Sequence, residues 1–153
     1  MKFIACTFFV WCSFAEGGAV MTVDELSNIS GGVNILDARE KEEFEVSHIK
    51  GAIQIGYKKF SLQDTLSKID KKKPTVVYCS VGYRSGKIVQ KLNAAGVKAL
   101  NLKGGIFGWV NKGHRVYQAG SVTDSVHGYN SSWAQKVKKG KVVTPKEKKW
   151  FFF

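Results

Sequence analysis

One short run constrains the fold of this chain more than any other: the seven residues from Cys79 to Ser85, with the sequence CSVGYRS. The run follows the apolar stretch 75–78 and precedes an amphipathic stretch from Gly86 to Ala95, a pattern that predicts a strand, a tight loop and a helix. The first backbone N–H groups of a helix have no intrahelical partner and lie at the positive end of its dipole. That environment favours a thiolate and any anion bound beside it. The loop therefore makes Cys79 the candidate nucleophile.

The rest of the chain alternates predicted strands and helices. Helices are expected from Thr22, where Thr22 and Glu25 form a capping box, and over 40–46, 61–69, 86–95 and 106–112. Strands are expected over 33–36, 52–55, 75–78 and 97–102. Alternation of this kind predicts an α/β fold with a mostly parallel central sheet and helices on both faces. A length of 153 residues without an internal repeat fits one domain with a single core.

The chain is strongly basic, with a net charge of +12 carried mostly by lysine. Lysine runs of this kind are typical of a solvated surface, and they also attract anionic substrates or lipid headgroups. No zinc-ligand spacing and no aromatic RNA-binding motif accompanies the charge. We therefore expect no metal, no cofactor and no nucleic-acid partner.

The N-terminus has the pattern of a secretory signal. Lys2 precedes an apolar and aromatic stretch over 3–14, which is too short to span a bilayer, and small residues allow cleavage near Ala15. The protein is then expected to be exported, to the periplasm or the medium. Removal of 1–15 would leave Cys79 as the single cysteine, which indicates a free reactive thiol or intermolecular pairing. The alternatives are a buried N-terminal strand and a segment retained as a membrane anchor.

The C-terminal part changes character after Tyr117. Residues 118–132 are rich in Gly, Ser, Asn and Asp, and 141–153 are basic with an aromatic end. We expect a tail that partly packs on the domain and partly frays. The sharper alternative is a weak contact with a membrane surface through its lysines and aromatic rings. The predicted division is a signal over 1–15, a domain over 16–117 and an extension over 118–153.

Several motifs, weak alone, follow one another in a specific order. They are Asp37-Ala38-Arg39-Glu40 with Glu43-Phe44, His48-Ile49-Lys50-Gly51-Ala52, the loop at Cys79, Asn101-Leu102-Lys103-Gly104-Gly105, and Gly108-Trp109. Together they resemble a single-domain rhodanese over about 22–117. The resemblance implies a three-layer rhodanese-like fold and a thiosulfate sulfurtransferase-like enzyme. Ser47 stands where the family commonly has glycine and Lys50 where it commonly has proline, which would alter the local turn.

The resemblance also implies the site. Cys79 matches the nucleophile that carries a persulfide, while Asp37 and Arg39 match positions that support the structure nearby. The loop that would bind the substrate and the persulfide consists of Ser80, Val81, Gly82, Tyr83, Arg84 and Ser85. The implied partners are a small sulfur-containing anion such as thiosulfate, as donor, and a thiol or cyanide, as acceptor. The protein is expected to be a monomer.

Two other functions stay open. Rhodanese-like folds also serve as sulfur carriers or binding modules without turnover. Related phosphatases and arsenate reductases use a loop one residue longer, which admits a tetrahedral oxyanion. The six residues from Cys79 to Arg84 and the tyrosine at position 78, where cysteine phosphatases commonly have histidine, favour sulfur over phosphate.

Overall fold

The computed structural model describes residues 19–144. The strands are β1 (Val20–Met21), β2 (Asn34–Asp37), β3 (Ile53–Gln54), β4 (Thr75–Tyr78), β5 (Ala99–Leu102), β6 (Val116–Gln118), β7 (Ser121–Thr123), β8 (Ser125–His127) and β9 (Lys141–Val143). The helices are α1 (Val23–Ser27), α2 (Lys41–Val46), α3 (Leu62–Lys68), α4 (Tyr83–Ala94), α5 (Gly105–Asn111) and α6 (Ser131–Ala134).

Five strands form a central sheet in the order β1-β5-β4-β2-β3, and every neighbouring pair is parallel. β4 lies in the middle, and all four of its residues are buried, as its apolar sequence predicts. The parallel α/β fold predicted from the alternation of strands and helices is confirmed.

Two hydrophobic clusters cover the two faces of this sheet. Val76 and Tyr78 of β4 point into one cluster with side chains of α1 and α5, whereas Val77 points into the other with side chains of α3 and α4. Successive side chains of a strand face opposite sides of its sheet. The alternation therefore produces three layers, with Cys79 following Val77 into the cluster beneath α4.

Local signals set most helix boundaries, with one correction. Thr22 and Glu25 form the expected capping box at α1. α4, however, begins at Tyr83, about one turn earlier than the predicted start at Gly86. Gly82 precedes it with a φ of 113°, a left-handed conformation that glycine adopts without steric cost. The residues from Tyr83 to Ser85 consequently belong to the first turn of the helix.

The part of the C-terminal extension that the structure describes is folded against the domain. β6 and β7 form a hairpin, while β8 and β9 pair in parallel with α6 between them. Val126 of β8 is fully buried in the cluster under α1 and α5. The side chain of Asn111 at the end of α5 donates to the carbonyl of Lys136 and accepts the N–H of Lys138. Residues 118–144 thus pack far more extensively than their composition suggests.

Two predictions lie outside the described residues: the signal sequence over 1–15, and the membrane contact of the aromatic C-terminal end. Within residues 19–144, none of the helices combines the length and the apolar character needed to cross a membrane.

Candidate active site

The thiol of Cys79 lies between the end of β4 and the start of α4, with 1% of the residue exposed. The backbone N–H of Gly82 donates to its Sγ at 3.1 Å, and the hydroxyl Oγ of Ser85 lies 3.4 Å from the same sulfur. The loop therefore curls around the sulfur and directs hydrogen-bond donors at it. Cys79 is also a free cysteine.

These hydrogen bonds decide the ionisation of the thiol. Burial raises the pKa of Cys79. Hydrogen bonds from the Ser85 hydroxyl and from the backbone N–H groups of Ser85, Gly82 and Val81 lower the pKa by more than burial raises it. The net result is a pKa below the ordinary value of a cysteine. The geometry therefore favours the thiolate, which is the nucleophilic form.

Removing the hydroxyl in Ser85→Ala should shift the reactivity of Cys79 to higher pH. The thiolate fraction rises as pH passes upward through the pKa, and this substitution removes the largest of the pKa-lowering hydrogen bonds. The measurement is the rate at which iodoacetamide alkylates the Cys79 peptide, followed by mass spectrometry across pH. Ser67→Ala is the control, since that hydroxyl donates to its own helix at Asp64. An unchanged midpoint in Ser85→Ala would contradict the assignment.

The carbonyls of the loop are held by a different element. The N–H groups of Ile106 and Phe107 donate to the carbonyls of Cys79 and Ser80 at 2.9 and 3.1 Å. The first turn of α5 therefore packs under the loop. The contact is so close that a Cβ at Gly105 would lie 2.3 Å from the Cys79 carbonyl oxygen, so glycine is required there.

Asn101 of β5 contacts both the middle and the C-terminal end of the loop. Its Nδ2 donates to the carbonyl of Gly82 at 2.9 Å, and its Oδ1 lies 2.7 Å from the Ser85 hydroxyl. The single proton of that hydroxyl is shared between Asn101 Oδ1 and the Cys79 sulfur. The side chain thereby fixes both residues whose hydrogen bonds contact the sulfur. In the sequence, the only sign of this position is its place in the motif that begins at Asn101.

Arg84 is paired rather than free to meet an anion. Its guanidinium donates to both carboxylate oxygens of Glu43 at 2.7 Å and to the hydroxyl of Ser80 at 3.0 Å. Burial raises the pKa of Glu43, but the hydrogen bonds and charge of Arg84 outweigh it, so that pKa lies below its ordinary value. Both groups are ionised, and the pair ties α2 to the first turn of α4. No helical periodicity distinguishes Glu43 from a solvated glutamate.

Asp37 and Arg39 form an ion pair with no exposed surface in either side chain. The guanidinium donates to the Asp37 carboxylate at 2.6 Å and to the carbonyl of Ser47 at 2.6 Å. The pair therefore anchors the turn at the end of α2 to the end of β2. Ser47, one of the two departures from the rhodanese pattern, has a buried hydroxyl with no hydrogen-bond partner among the described residues.

A cavity of about 540 Å³ opens over the loop. Cys79 lines it together with Val81, and four aromatic side chains contribute to its walls: Tyr57, Tyr83, Tyr129 and Trp133. We call this space the aromatic cavity. The first two aromatic residues belong to the region where the motifs were found, and the last two belong to the C-terminal extension. The sequence pattern gives no sign that the extension reaches the site.

The loop residues predicted from the sequence thus gather around one sulfur. Gly82 and Ser85 contact Sγ, Val81 and Tyr83 line the cavity, and Ser80 joins the ion pair of Arg84. Asp37 and Arg39 lie behind the site as a buried support.

Comparison with known proteins places these features in one family. The family model of the rhodanese-like domain matches residues 22–112. The thiosulfate sulfurtransferase GlpE of Coxiella burnetii is 37% identical over 76 residues, which cover 49% of this chain and 69% of that protein. A crystal structure of a rhodanese-like domain protein from Staphylococcus aureus superposes with a TM-score of 0.57 at 32% identity, covering 65% of this chain and 97% of that one.

Some relatives are much longer. The probable adenylyltransferase/sulfurtransferase MoeZ of Mycobacterium tuberculosis is 29% identical over 102 residues, or 64% of this chain. The chain spans only 26% of the length of that relative. The family match ends at residue 112, so Tyr129 and Trp133 of the aromatic cavity lie beyond it.

Proposed function

The chain belongs to the rhodanese-like domain family, and on that basis we propose that it is a sulfurtransferase in which Cys79 carries sulfane sulfur as a persulfide. The observation that carries the proposal is the set of hydrogen bonds aimed at one sulfur, which lower the pKa of Cys79 although the thiol is buried. The thiosulfate sulfurtransferase named among the relatives supports the same reaction class.

The reaction has two halves. In the first, the Cys79 thiolate attacks the outer sulfur of a donor such as thiosulfate. A bond forms between Sγ and that sulfur, the sulfur–sulfur bond of the donor breaks, and its electron pair leaves with sulfite. In the second, cyanide or a thiolate attacks the outer sulfur and restores the Cys79 thiolate. This is covalent catalysis, and the hydrogen bonds that lower the pKa of Cys79 favour the thiolate that attacks in the first half.

The loop suits the persulfide for the same reason that it suits the thiolate. The negative charge moves from Sγ to the outer sulfur, and Cys79 lines the aromatic cavity beside the first turn of α4. The N–H groups of that turn lie at the positive end of the helix dipole. Arg84 contributes by holding the turn through Glu43, not as a free cation.

The test is the intact mass of the reduced full-length protein, before and after thiosulfate and again after cyanide. We expect the gain of one sulfur atom, located on the Cys79 peptide, and its loss to cyanide. The same chain denatured in urea is the control, because it keeps the thiols but not the loop.

Each other outcome has its own meaning. Stable loading without transfer to cyanide or thiols would indicate that the protein is a sulfur carrier and not an enzyme that turns over. Absence of loading, together with hydrolysis of an aryl phosphate that depends on Cys79, would indicate a phosphatase and overturn the proposed sulfur transfer.

A further inference from the structure

The C-terminal extension supplies half of the aromatic lining around the candidate nucleophile. Tyr129 and Trp133 lie beyond residue 112, where the family match ends, yet they line the same cavity as Cys79. Tyr83 and Tyr129 are 69% and 46% exposed, so large apolar rings face solvent at the entrance. Exposed aromatic surface grouped around a concave site is typical of a binding site.

Tyr129 is held in place by both its backbone and its ring. Its φ is 64°, a left-handed conformation that is rare for a residue other than glycine. Its N–H donates to Nδ1 of His127 at 3.0 Å. The Arg84 guanidinium lies 5.0 Å from the centre of its ring, within the range of a cation–π contact. The ion pair of Glu43 and Arg84 therefore extends to the wall of the cavity.

Trp133 is positioned by the short helix α6. The side chain of Asn130 accepts the N–H of Trp133 at 2.9 Å and so caps that helix. A Cβ at Gly128 would lie 2.8 Å from Val142 and 2.9 Å from Ala134, so β8, α6 and β9 are in close contact. The Trp133 side chain is half-buried and packs on the core cluster that contains Val126. The ring thus belongs to a packed unit.

The size and chemistry of the cavity do not match a small inorganic anion alone. Its volume of about 540 Å³ falls within the range of sites for organic ligands, about 300–1,000 Å³. Lys58 and Arg84 line it together with one acidic residue, Glu40. The ammonium groups of Lys87 and Lys136 lie over the rings of Tyr83 and Trp133, so positive charge predominates around it. The combination suits a molecule with an apolar body and an anionic sulfur group.

We propose that the sulfur donor of this protein is an organic sulfane compound, in which an apolar group bound between Tyr129 and Trp133 carries an anionic terminal sulfur to Cys79. The inference rests on the proposed function and names its substrate class. With an organic thiosulfonate, the Cys79 thiolate bonds to the terminal sulfur and the bond from that sulfur to the sulfonyl sulfur breaks. The electron pair leaves with the sulfinate, so no further oxidant or reductant is required.

The test compares benzenethiosulfonate, methanethiosulfonate and thiosulfate as donors to the full-length protein, with cyanide as acceptor. In a two-step covalent mechanism, kcat/KM for the donor reports the first half of the reaction alone. We expect kcat/KM for benzenethiosulfonate to exceed that for methanethiosulfonate by about tenfold or more. Additional apolar groups that fit a hydrophobic pocket raise kcat/KM by factors of this size. Tyr129→Ala and Trp133→Ala should each reduce this ratio about 3- to 10-fold, because each removes an aromatic contact.

The ratio of the two kcat/KM values is compared between variants, so the difference in intrinsic reactivity between the two donors cancels. Tyr129→Phe keeps the ring and should keep the ratio, and Val122→Ala on β7 is a control at an exposed site of the same extension. An unchanged ratio in both alanine variants, with thiosulfate loading retained, would overturn this inference and leave the proposed function in place. Failure of all three donors with the wild-type protein would overturn both.

Discussion

Cys79→Ser should lose sulfur transfer almost completely, by a factor on the order of 10³ or more, while the protein stays folded. A serine hydroxyl is hardly ionised at neutral pH and forms no persulfide. The same hydroxyl can still accept the N–H of Gly82, so the free energy of unfolding should change by no more than about 2 kcal/mol. The measurements are thiocyanate formation from thiosulfate and cyanide, and urea unfolding followed by circular dichroism.

The same chemical change made elsewhere is the matched control. Cys6 and Cys12 are the only other cysteines of the chain, and the double replacement of both with serine should leave turnover unchanged. Wild-type turnover in Cys79→Ser, or its loss in the double variant, would place the nucleophile elsewhere.

Gly105→Ala should destabilise the protein by roughly 2 to 5 kcal/mol, the sum of a left-handed backbone and an overpacked contact. A Cβ at this position would lie 2.3 Å from the Cys79 carbonyl oxygen and 2.7 Å from the carbonyl of Ser80, at a φ of 56°. These neighbours are backbone atoms of the candidate site and have no flexible end that could move away. Urea unfolding gives the stability, and alkylation of Cys79 reports whether the loop keeps its reactivity.

Gly96→Ala separates the two causes. Gly96 has a φ of 81°, but a Cβ there would meet no atom within 4 Å. That variant should lose only about 1–2 kcal/mol, the cost of the left-handed backbone alone. Equal losses in the two variants would mean that the loop yields to the extra carbon, contrary to the close contact between α5 and Cys79.

The central part of the fold was predictable because its signals are local. β4 occupies Thr75–Tyr78, the apolar run identified in the sequence, and Thr22 begins α1 with the expected capping box. The start of α4 differs from the predicted start because Gly82 has no capping side chain to mark it. The left-handed backbone of that glycine begins the helix at Tyr83, and backbone conformation leaves a weaker sequence signal than a serine or aspartate cap.

The extension could not be predicted in the same way. β8 and β9 are three residues each and pair in parallel across α6, so neither strand carries enough residues to show a period of two. The role of Glu43 depends on a partner 41 positions along the chain, Arg84, which only the fold brings within hydrogen-bond distance. In both cases a non-local contact decides the structure, and single-chain patterns record only local ones.

The bonds from α5 to the candidate loop have a consequence for the energetics of the reaction. The carbonyls of Cys79 and Ser80 accept hydrogen bonds from Ile106 and Phe107, which hold those two peptide groups in place. The N–H of Val81 shares its peptide group with the Ser80 carbonyl, so this donor stays directed at the sulfur. Under the proposed function, a donor held in this way would keep its orientation when sulfur is transferred, so the reorganisation energy of moving the charge from Sγ to the outer sulfur would be small. The loop would then stabilise the charge on sulfur with dipoles that are already oriented before the sulfur atom is transferred.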